Sequence, residues 1–468
     1  MNPNLLEKLH AWNPWWQGRD FPLPTARRAP YQDLLKDLKH KKIQILAGPR
    51  QTGKTTLLRQ LLVDLHKSGV RPQDTLYLPL DAFADEFEAG ALKLSHLVNA
   101  FSETIAKQPL AKGDKYLFLD EVHLYPQWNR EIKVLYDQQW RLHFLVSGSA
   151  SAVILKDAAT ALAGRSREHV ILPLSFSEVC ALRFPKFEKD SILRSLYLGR
   201  QLLSLLEGQS KGAKKQIEQI TKDFSGFASV LRAELSTYLR QGGFPEPVLN
   251  RFSEETTDKH LQTILDQMIR RDFVEFFHVR DTKTLERIIR VIAQNTARIL
   301  SERGLSSDLG VSINTVRNHI GFLEKAYVVF AAKVLSGSTL SQTRISEKLF
   351  FLDPGLRNSL VGFQLQDKGG LLESVVYVHL WSFFQKHRPA VDLLYWRSKE
   401  AEVDVVVRQG KSLIGIEVHS AQDDIRGLQL FLKEYPHAFG ILVSDIDPAT
   451  VTDKRVVVIP PHVFLQAS

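Results

Sequence analysis

Sulfur is scarce in this chain, with one cysteine and two methionines in 468 residues. Cys180 has no partner within the chain, which excludes an intrachain disulfide and a thiolate metal cage built by one chain. A single thiol fits a reducing, cytoplasmic setting. No run of 18 uninterrupted apolar residues occurs, so no membrane span is expected. The opening MNPNLLEKLHAWNPWW lacks the basic start and apolar stretch of a signal peptide. Repeats and long low-complexity tracts are also missing. What is there is ordinary for globular proteins: 44% hydrophobic and 24% charged residues. The length suggests roughly three domains of about 150 residues each.

The formal charge of +9 is unevenly spread. Residues 1–42 carry eight basic and four acidic side chains, and residues 183–232 carry ten and five. Residues 363–468 reverse the balance, with eleven basic against thirteen acidic. A polyanionic partner is therefore expected at the N-terminal two-thirds. Residues 1–42, with Trp12, Trp15 and Trp16, read as a wrapping arm. Apolar β runs at 43–47, 76–80, 116–119, 143–146 and 170–174 then alternate with helical stretches, predicting a parallel sheet covered on both faces. Residues 184–240 turn basic and helical, with a break at 207–215. Residues 245–300 are helical again, a helical pair at 304–326 leads to β runs at 327–334 and 348–352, and a helix at 371–387 precedes five more strands.

The segment Gly48-Pro49-Arg50-Gln51-Thr52-Gly53-Lys54-Thr55 matches GxxxxGK[ST]. It follows the strand KKIQILA and opens the helix KTTLLRQLLVDLH, so loop amides and a helix N-terminus converge on phosphate oxygens. Gly48 and Gly53 permit the backbone geometry, Lys54 reaches the β- and γ-phosphates, and Thr55 offers its hydroxyl to Mg²⁺; Thr56 completes the loop. A second hydrophobic run ends in Asp120-Glu121, as a Walker B motif does. Asp120 would hold the Mg²⁺ shell and Glu121 would polarise the attacking water. A guanine-reading N/T-K-x-D motif is not found, so ATP is the expected nucleotide. Ser147 ends the next strand, placed to sense the γ-phosphate. Arg165 and Arg167 precede the fifth run; the first is the preferred trans-acting arginine finger, which would make the active unit an oligomer.

Residues 305–320 read as helix, tight turn at Gly310 and a second helix capped by Ser312. Ile313, Val316, Ile320 and Leu323 share one helical face and should pack inward. Asn314, Thr315, Arg317 and Asn318 face away, suited to base edges or phosphates. The β runs that follow would form a wing with a polar tip at 336–348 that includes Arg344. Winged helices also serve as protein-binding modules, so a protein partner stays open beside DNA. In the C-terminal stretch, Asp404 in one strand and Glu417-Val-His419 in the next, with Glu373 on the preceding helix, are similar to the D…ExK pattern of restriction-endonuclease-like folds. His419 stands where that pattern has lysine, and Lys399 is the nearby substitute. The expectation is a degenerate nuclease site.

With GPRQTGKTTLL, LFLDEVHLYPQWNREIKVLYD, SGSAS, LAGRSREHVILPLSFSEV, YLRQGGFPEPV, KLFFLDPGLRNSL, AEVDVVV and IGIEVHS in place, the chain resembles a family of prokaryotic AAA+ ATP-binding proteins. The resemblance implies an α/β fold with an AAA+ P-loop core, a helical lid, a winged helix and a C-terminal restriction-endonuclease-like domain of unknown function. The corresponding expected boundaries are 1–42, 43–183, 184–240 (basic insertion), 241–293 (lid), 294–360 (winged helix) and 361–468. It also places Gly242-Gly243-Phe244-Pro245 in the lid, near the nucleotide base. The function expected is a Mg²⁺-dependent ATPase that remodels or moves along DNA as a homo-oligomer, possibly a hexamer. A nucleotide-dependent switch acting on a protein partner and an ATP-fuelled nuclease are the competing readings.

Overall fold

In a computed structural model, residues 3–125, 127–138, 140–149, 160–184, 198–208, 210–336, 347–419 and 425–467 are described. The chain divides into two compact units, Met1–Leu172 and Pro173–Ser468.

In the first unit, the apolar runs become five parallel strands: β1 (Ile43–Ala47), β2 (Thr75–Pro79), β3 (Lys115–Asp120), β4 (Leu142–Gly148) and β5 (Ser166–Val170), in the order β2-β3-β4-β1-β5. Side chains alternate across the sheet because the strand repeat is two. Ile43, Ile45, Leu117, Leu119 and Val146 therefore pack on one face. Leu46, Tyr77, Phe118 and Leu145 pack on the other. The N-terminal arm starts as helix α1 (Pro3–Trp12). Its continuation lies along β2: the Asn13 side chain accepts from Tyr77 N at 2.8 Å and donates to Tyr77 O at 3.0 Å. The Trp16 indole donates to Thr75 O at 3.0 Å. Asn13 thus satisfies backbone groups that a neighbouring strand would otherwise take. Helix α2 (Lys54–Lys67) presents Leu57, Leu58, Leu61, Leu62 and Leu65 to the face carrying Leu46 and Phe118. Helix α3 (Trp128–Asp137) covers the opposite face through Trp128, Ile132 and Leu135.

One strand differs from expectation. The run at 170–174 is not β5; β5 is the polar stretch Ser166–Val170, paired residue for residue with Ile43–Ala47. The apolar run leaves the sheet after Ile171 N donates to Ala47 O at 2.7 Å, because Pro173 has no amide to continue the ladder. Its hydrophobicity serves burial of a connecting segment, not pairing.

In the second unit, the break expected over 207–215 is shorter, since helix α4 (Ser210–Asp223) already includes 210–215. Helix α5 (Ala228–Gln241) follows. Helix α6 (Glu302–Leu309), Gly310 at φ 68° and helix α7 (Ile313–Lys325) form the helix–turn–helix, with Ser312 Oγ accepting from Thr315 N at 3.0 Å. Val316, Ile320 and Leu323 are buried as the periodicity predicts. Ile313 is not: it is 36% exposed. As the first residue after the cap it lies beyond the packed turn, and His319 fills the inner face, its Nδ1 2.6 Å from Thr315 O.

Eight strands form one sheet in the order β13-β12-β11-β10-β9-β7-β8-β6. They are β6 (Arg298–Ile299), β7 (Val329–Val334), β8 (Lys348–Phe351), β9 (Asp392–Arg397), β10 (Glu402–Gln409), β11 (Ser412–Val418), β12 (Phe439–Val443) and β13 (Val456–Ile459). In the antiparallel trio β7-β8-β6, β6 precedes the helix–turn–helix and β7 and β8 follow it, and a parallel pairing of Lys333 with Leu394 and Val334 with Tyr395 joins the trio to the C-terminal strands. The expected boundary at 360/361 therefore does not interrupt the sheet. The unit's other helices include Glu254–Gln267, Thr282–Gln294, α8 (Pro354–Val361), α9 (Lys368–His387) and α10 (Arg426–Glu434). Among the described residues no helix is long and apolar enough to cross a membrane.

Candidate functional site

The loop between β1 and α2 is shaped by its glycines. Gly48 sits at φ 152°, and a Cβ there would stand 2.1 Å from the carbonyl oxygen of Ile171. Gly53 at φ 91° turns the chain into α2, whose N-terminus opens at the loop. Gln51 also takes a positive φ, of 58°. Thr52 Oγ1 donates to Pro49 O at 3.0 Å, and the buried Lys54 ammonium donates to Gly48 O and Pro49 O at 3.0 and 2.6 Å. Thr55 and Thr56 lie half-buried in the first turn of α2.

Arg28 braces this loop from the arm, donating to Thr52 O at 2.6 Å and Leu172 O at 2.9 Å. The sequence reading missed it, because a link spanning more than a hundred residues leaves no local pattern.

At the end of β3, Asp120 is 3% exposed. Its Oδ1 accepts from the Ser147 hydroxyl and from Glu121 N, and its Oδ2 from the Tyr77 hydroxyl at 2.9 Å. Ser147 reaches Asp120 because β4 lies between β1 and β3 in the sheet. Tyr77 was also missed, although a tyrosine amid the leucines of β2 was a legible signal. Glu121 has φ 53°, its Oε2 accepts from Ser149 N at 3.3 Å, and His123 Nδ1 lies 3.2 Å from it. Burial raises the Glu121 carboxyl above its ordinary value, opposed by the charge of Lys54. A carboxyl so tuned is a stronger proton acceptor than a solvated one.

A family model described as an AAA domain matches residues 40–180, which holds every one of these groups except Arg28 and the arm. This segment is an AAA-type P-loop ATPase domain. Two further models, each described as a domain of unknown function (DUF8612 and DUF4143), match residues 232–367 and 368–464. An uncharacterized protein of Haemophilus influenzae is 23% identical over 381 residues, covering 80% of this chain and 82% of its own. One from Methanocaldococcus jannaschii is 26% identical over 406 residues, covering 84% and 79%. Among solved structures, the Walker-type ATPase PABY2304 of Pyrococcus abyssi aligns at 15% identity with a TM-score of 0.40, covering 73% of this chain and 99% of its own.

Outside the phosphate loop, the two candidate arginines each pair with an aspartate of the first unit. Arg165 forms a two-pronged pair with Asp137 on α3, at 2.9 and 3.3 Å, on the surface. Arg167 lies within β5 and pairs with Asp37 at 2.7 Å, not before the strand as expected.

In the second unit, Asn314, Arg317 and Asn318 are exposed on α7, whereas Thr315 is half-buried and its hydroxyl lies 2.9 Å from Ser312 Oγ in the cap. Arg317 is paired with Glu302 at 2.6 Å. Arg344 lies outside the described residues. Gly242-Gly243 lies against Asp353: Gly243 N donates to its Oδ2 at 2.7 Å, and Leu356 N to its Oδ1 at 2.9 Å.

The four C-terminal candidates take two sets of side-chain partners, with Asp404 Oδ2 accepting from Val418 N, between Glu417 and His419, at 2.9 Å. Glu373 and Asp404 meet around Lys348 of β8, which also pairs with Glu402 at 2.7 Å. Glu417 instead accepts from Leu428 N of α10 at 2.8 Å, and its other oxygen lies 3.0 Å from His419 Nε2. Lys399 is exposed. The lysine of the cluster is therefore Lys348, which sequence spacing could not assign because it comes from a strand about 55 residues upstream of Asp404. Among the described residues no group of three or more His, Cys, Asp or Glu has a geometry that would hold a metal.

Proposed function

We propose that the chain is a Mg²⁺-dependent AAA+ ATPase that binds DNA and uses hydrolysis to remodel it or move along it, as a ring oligomer. The observation that carries the ATPase part is the convergence of the glycine-shaped loop, Lys54, and the Asp120–Ser147–Tyr77 and Glu121 groups at the ends of adjacent strands. The loop amides and α2 N-terminus favour phosphate oxygens, and Lys54 supplies a charge to the β- and γ-phosphates. The site chemistry fits Mg²⁺: Thr55 offers a hydroxyl, and Asp120 Oδ2 keeps a lone pair beyond the one used by Tyr77. Bound Mg²⁺ would neutralise phosphate charge. Ser147 and Tyr77 hold the Asp120 carboxylate in place, and Glu121 accepts the proton of the attacking water.

Lys54→Ala should abolish nucleotide binding or turnover. Glu121→Gln should retain ATP while losing about 10²–10⁴-fold in rate; an unchanged rate would discard the assigned role. The DNA part rests on exposed Asn314, Arg317 and Asn318, on a winged-helix reading of residues 294–360, and on the basic stretches at 1–42 and 183–232. In this reading residues 241–293 act as the lid. Hydrolysis measured with duplex, branched and single-stranded DNA should rise with at least one, and binding should weaken with salt. No stimulation and no salt-dependent binding would remove DNA from the account. Arg165 would complete a neighbour's site after leaving Asp137, so Arg165→Ala mixed with Lys54→Ala should recover activity in mixed oligomers.

A second reading, a nucleotide-dependent switch acting on a protein partner, is favoured by the pairing of Arg317 with Glu302 and of Arg165 with Asp137. It expects slow, DNA-independent hydrolysis and nucleotide-dependent capture of the partner.

A further inference from the structure

Lys348 is the first residue of β8, and its side chain is 2% exposed. Its ammonium meets three carboxylates: Glu373 on α9, and Glu402 Oε1 at 2.7 Å and Asp404 Oδ1 at 3.1 Å on β10. An ammonium has three donors, so three carboxylates saturate it. Asp404 Oδ2 accepts from Val418 N at 2.9 Å, and Arg397 approaches the second Glu402 oxygen at 4.0 Å. In the D…ExK pattern Asp404 and Glu417 would hold a divalent cation, with Glu373 as the additional upstream acid. Here the inward oxygens face a fixed positive charge from the protein itself.

We infer that Lys348 is the resident cation of this centre, standing where the endonuclease-like pattern reserves a divalent metal, so the second unit takes no metal there and does not cut DNA. A divalent cation would need those same oxygens at about 2.0–2.6 Å. It would also lie within a few ångströms of a buried ammonium, where two like charges repel strongly. Glu417 takes other partners, one oxygen accepting from Leu428 N at 2.8 Å and the other lying 3.0 Å from His419 Nε2. The ammonium instead fastens the antiparallel trio to α9 and β10. Without Lys348, three carboxylates would face one another in a poorly solvated space. The inference stands independently of the nucleotide reading, since none of these residues belongs to the ATPase domain.

The test is Mn²⁺ binding to the full-length chain without nucleotide, counted by electron paramagnetic resonance. Wild type and Asp404→Asn should bind the same number of Mn²⁺ ions, and neither should cleave DNA with Mn²⁺. Lys348→Met, which keeps the stem length, should gain one Mn²⁺ per chain, and Lys348→Met/Asp404→Asn should lose it again. One Mn²⁺ more on wild type than on Asp404→Asn would overturn the inference, as would Mn²⁺-dependent cleavage that Asp404→Asn removes. A folded Lys348→Met that gains no ion would overturn it as well. Should Lys348→Met fail to fold, the wild-type comparison with Asp404→Asn, repeated with Glu402→Gln at the more exposed rim, still decides.

Discussion

A methyl group at position 48 would meet the Ile171 carbonyl oxygen at 2.1 Å, with backbone on both sides of the clash. Gly48→Ala should therefore shift the phosphate loop or the segment at 171, costing about 1–3 kcal/mol. Its nucleotide affinity, measured by titration with a fluorescent ATP analogue, should fall by tenfold or more; wild-type affinity would show that the loop is looser than its contacts. A second residue-level effect concerns acid. Burial, partly opposed by Asp445, lowers the His462 imidazole from 6.5 to about 4, and the residue is 2% exposed. The folded state holds it neutral while the unfolded chain protonates it. Its contribution is thus fully present above pH 6.5 and is lost as pH falls from 6.5 towards 4. At pH 4.5 the loss from this one group is on the order of 2–3 kcal/mol. His462→Phe should lose less stability than wild type between pH 7 and 4.5, read from denaturant unfolding; parallel losses would reject the assignment. At this scale the sequence was most informative where spacing is local. Gly48 through Thr56 and Asp120-Glu121 follow from position in a strand–loop–helix. Arg28, Tyr77 and Lys348 do not, because their partners are brought near only by the tertiary fold.

Elements show the same division between local and distant causes. Strands β1 and β13 were legible to the residue, since their runs are apolar and their turns are clear. Strand β5 was misplaced because a polar stretch pairs while its apolar neighbour bridges, and hydrophobicity reports burial without saying which backbone is hydrogen-bonded. The helix–turn–helix was legible through Gly310 and the Ser312 cap, apart from Ile313 at its margin. The parallel β7–β9 pairing was not, because only two residue pairs make it and no pattern announces it. The arm's brace on the phosphate loop belongs to this scale. Arg28→Met removes two charged hydrogen bonds to carbonyls, each worth about 1.5–3 kcal/mol. The expected outcome is weaker ATP binding with little change in turnover at saturation. A drop confined to turnover would mean that Arg28 acts on chemistry, not on loop position.

For the whole molecule, the division into Met1–Leu172 and Pro173–Ser468 predicts two unfolding transitions by calorimetry. ATP at 100 times its Kd should stabilise the unit that contains the phosphate loop by about 2.7 kcal/mol, leaving the other transition in place. A single transition that ATP shifts as one would show that the units unfold together.

The β7–β9 pairing also governs how this chain can be taken apart. The matched regions 232–367 and 368–464 suggest a cut at 367/368, yet β7 falls on one side and β9 on the other. Each fragment would carry a strand with bared amides and carbonyls, the kind of surface that recruits foreign strands. Lys348 would go with one fragment and its carboxylates with the other. Expressed separately, the pieces should aggregate or reassemble with each other, while the whole unit Pro173–Ser468 should stay monodisperse. Swapping either segment alone for a foreign counterpart would sever a sheet.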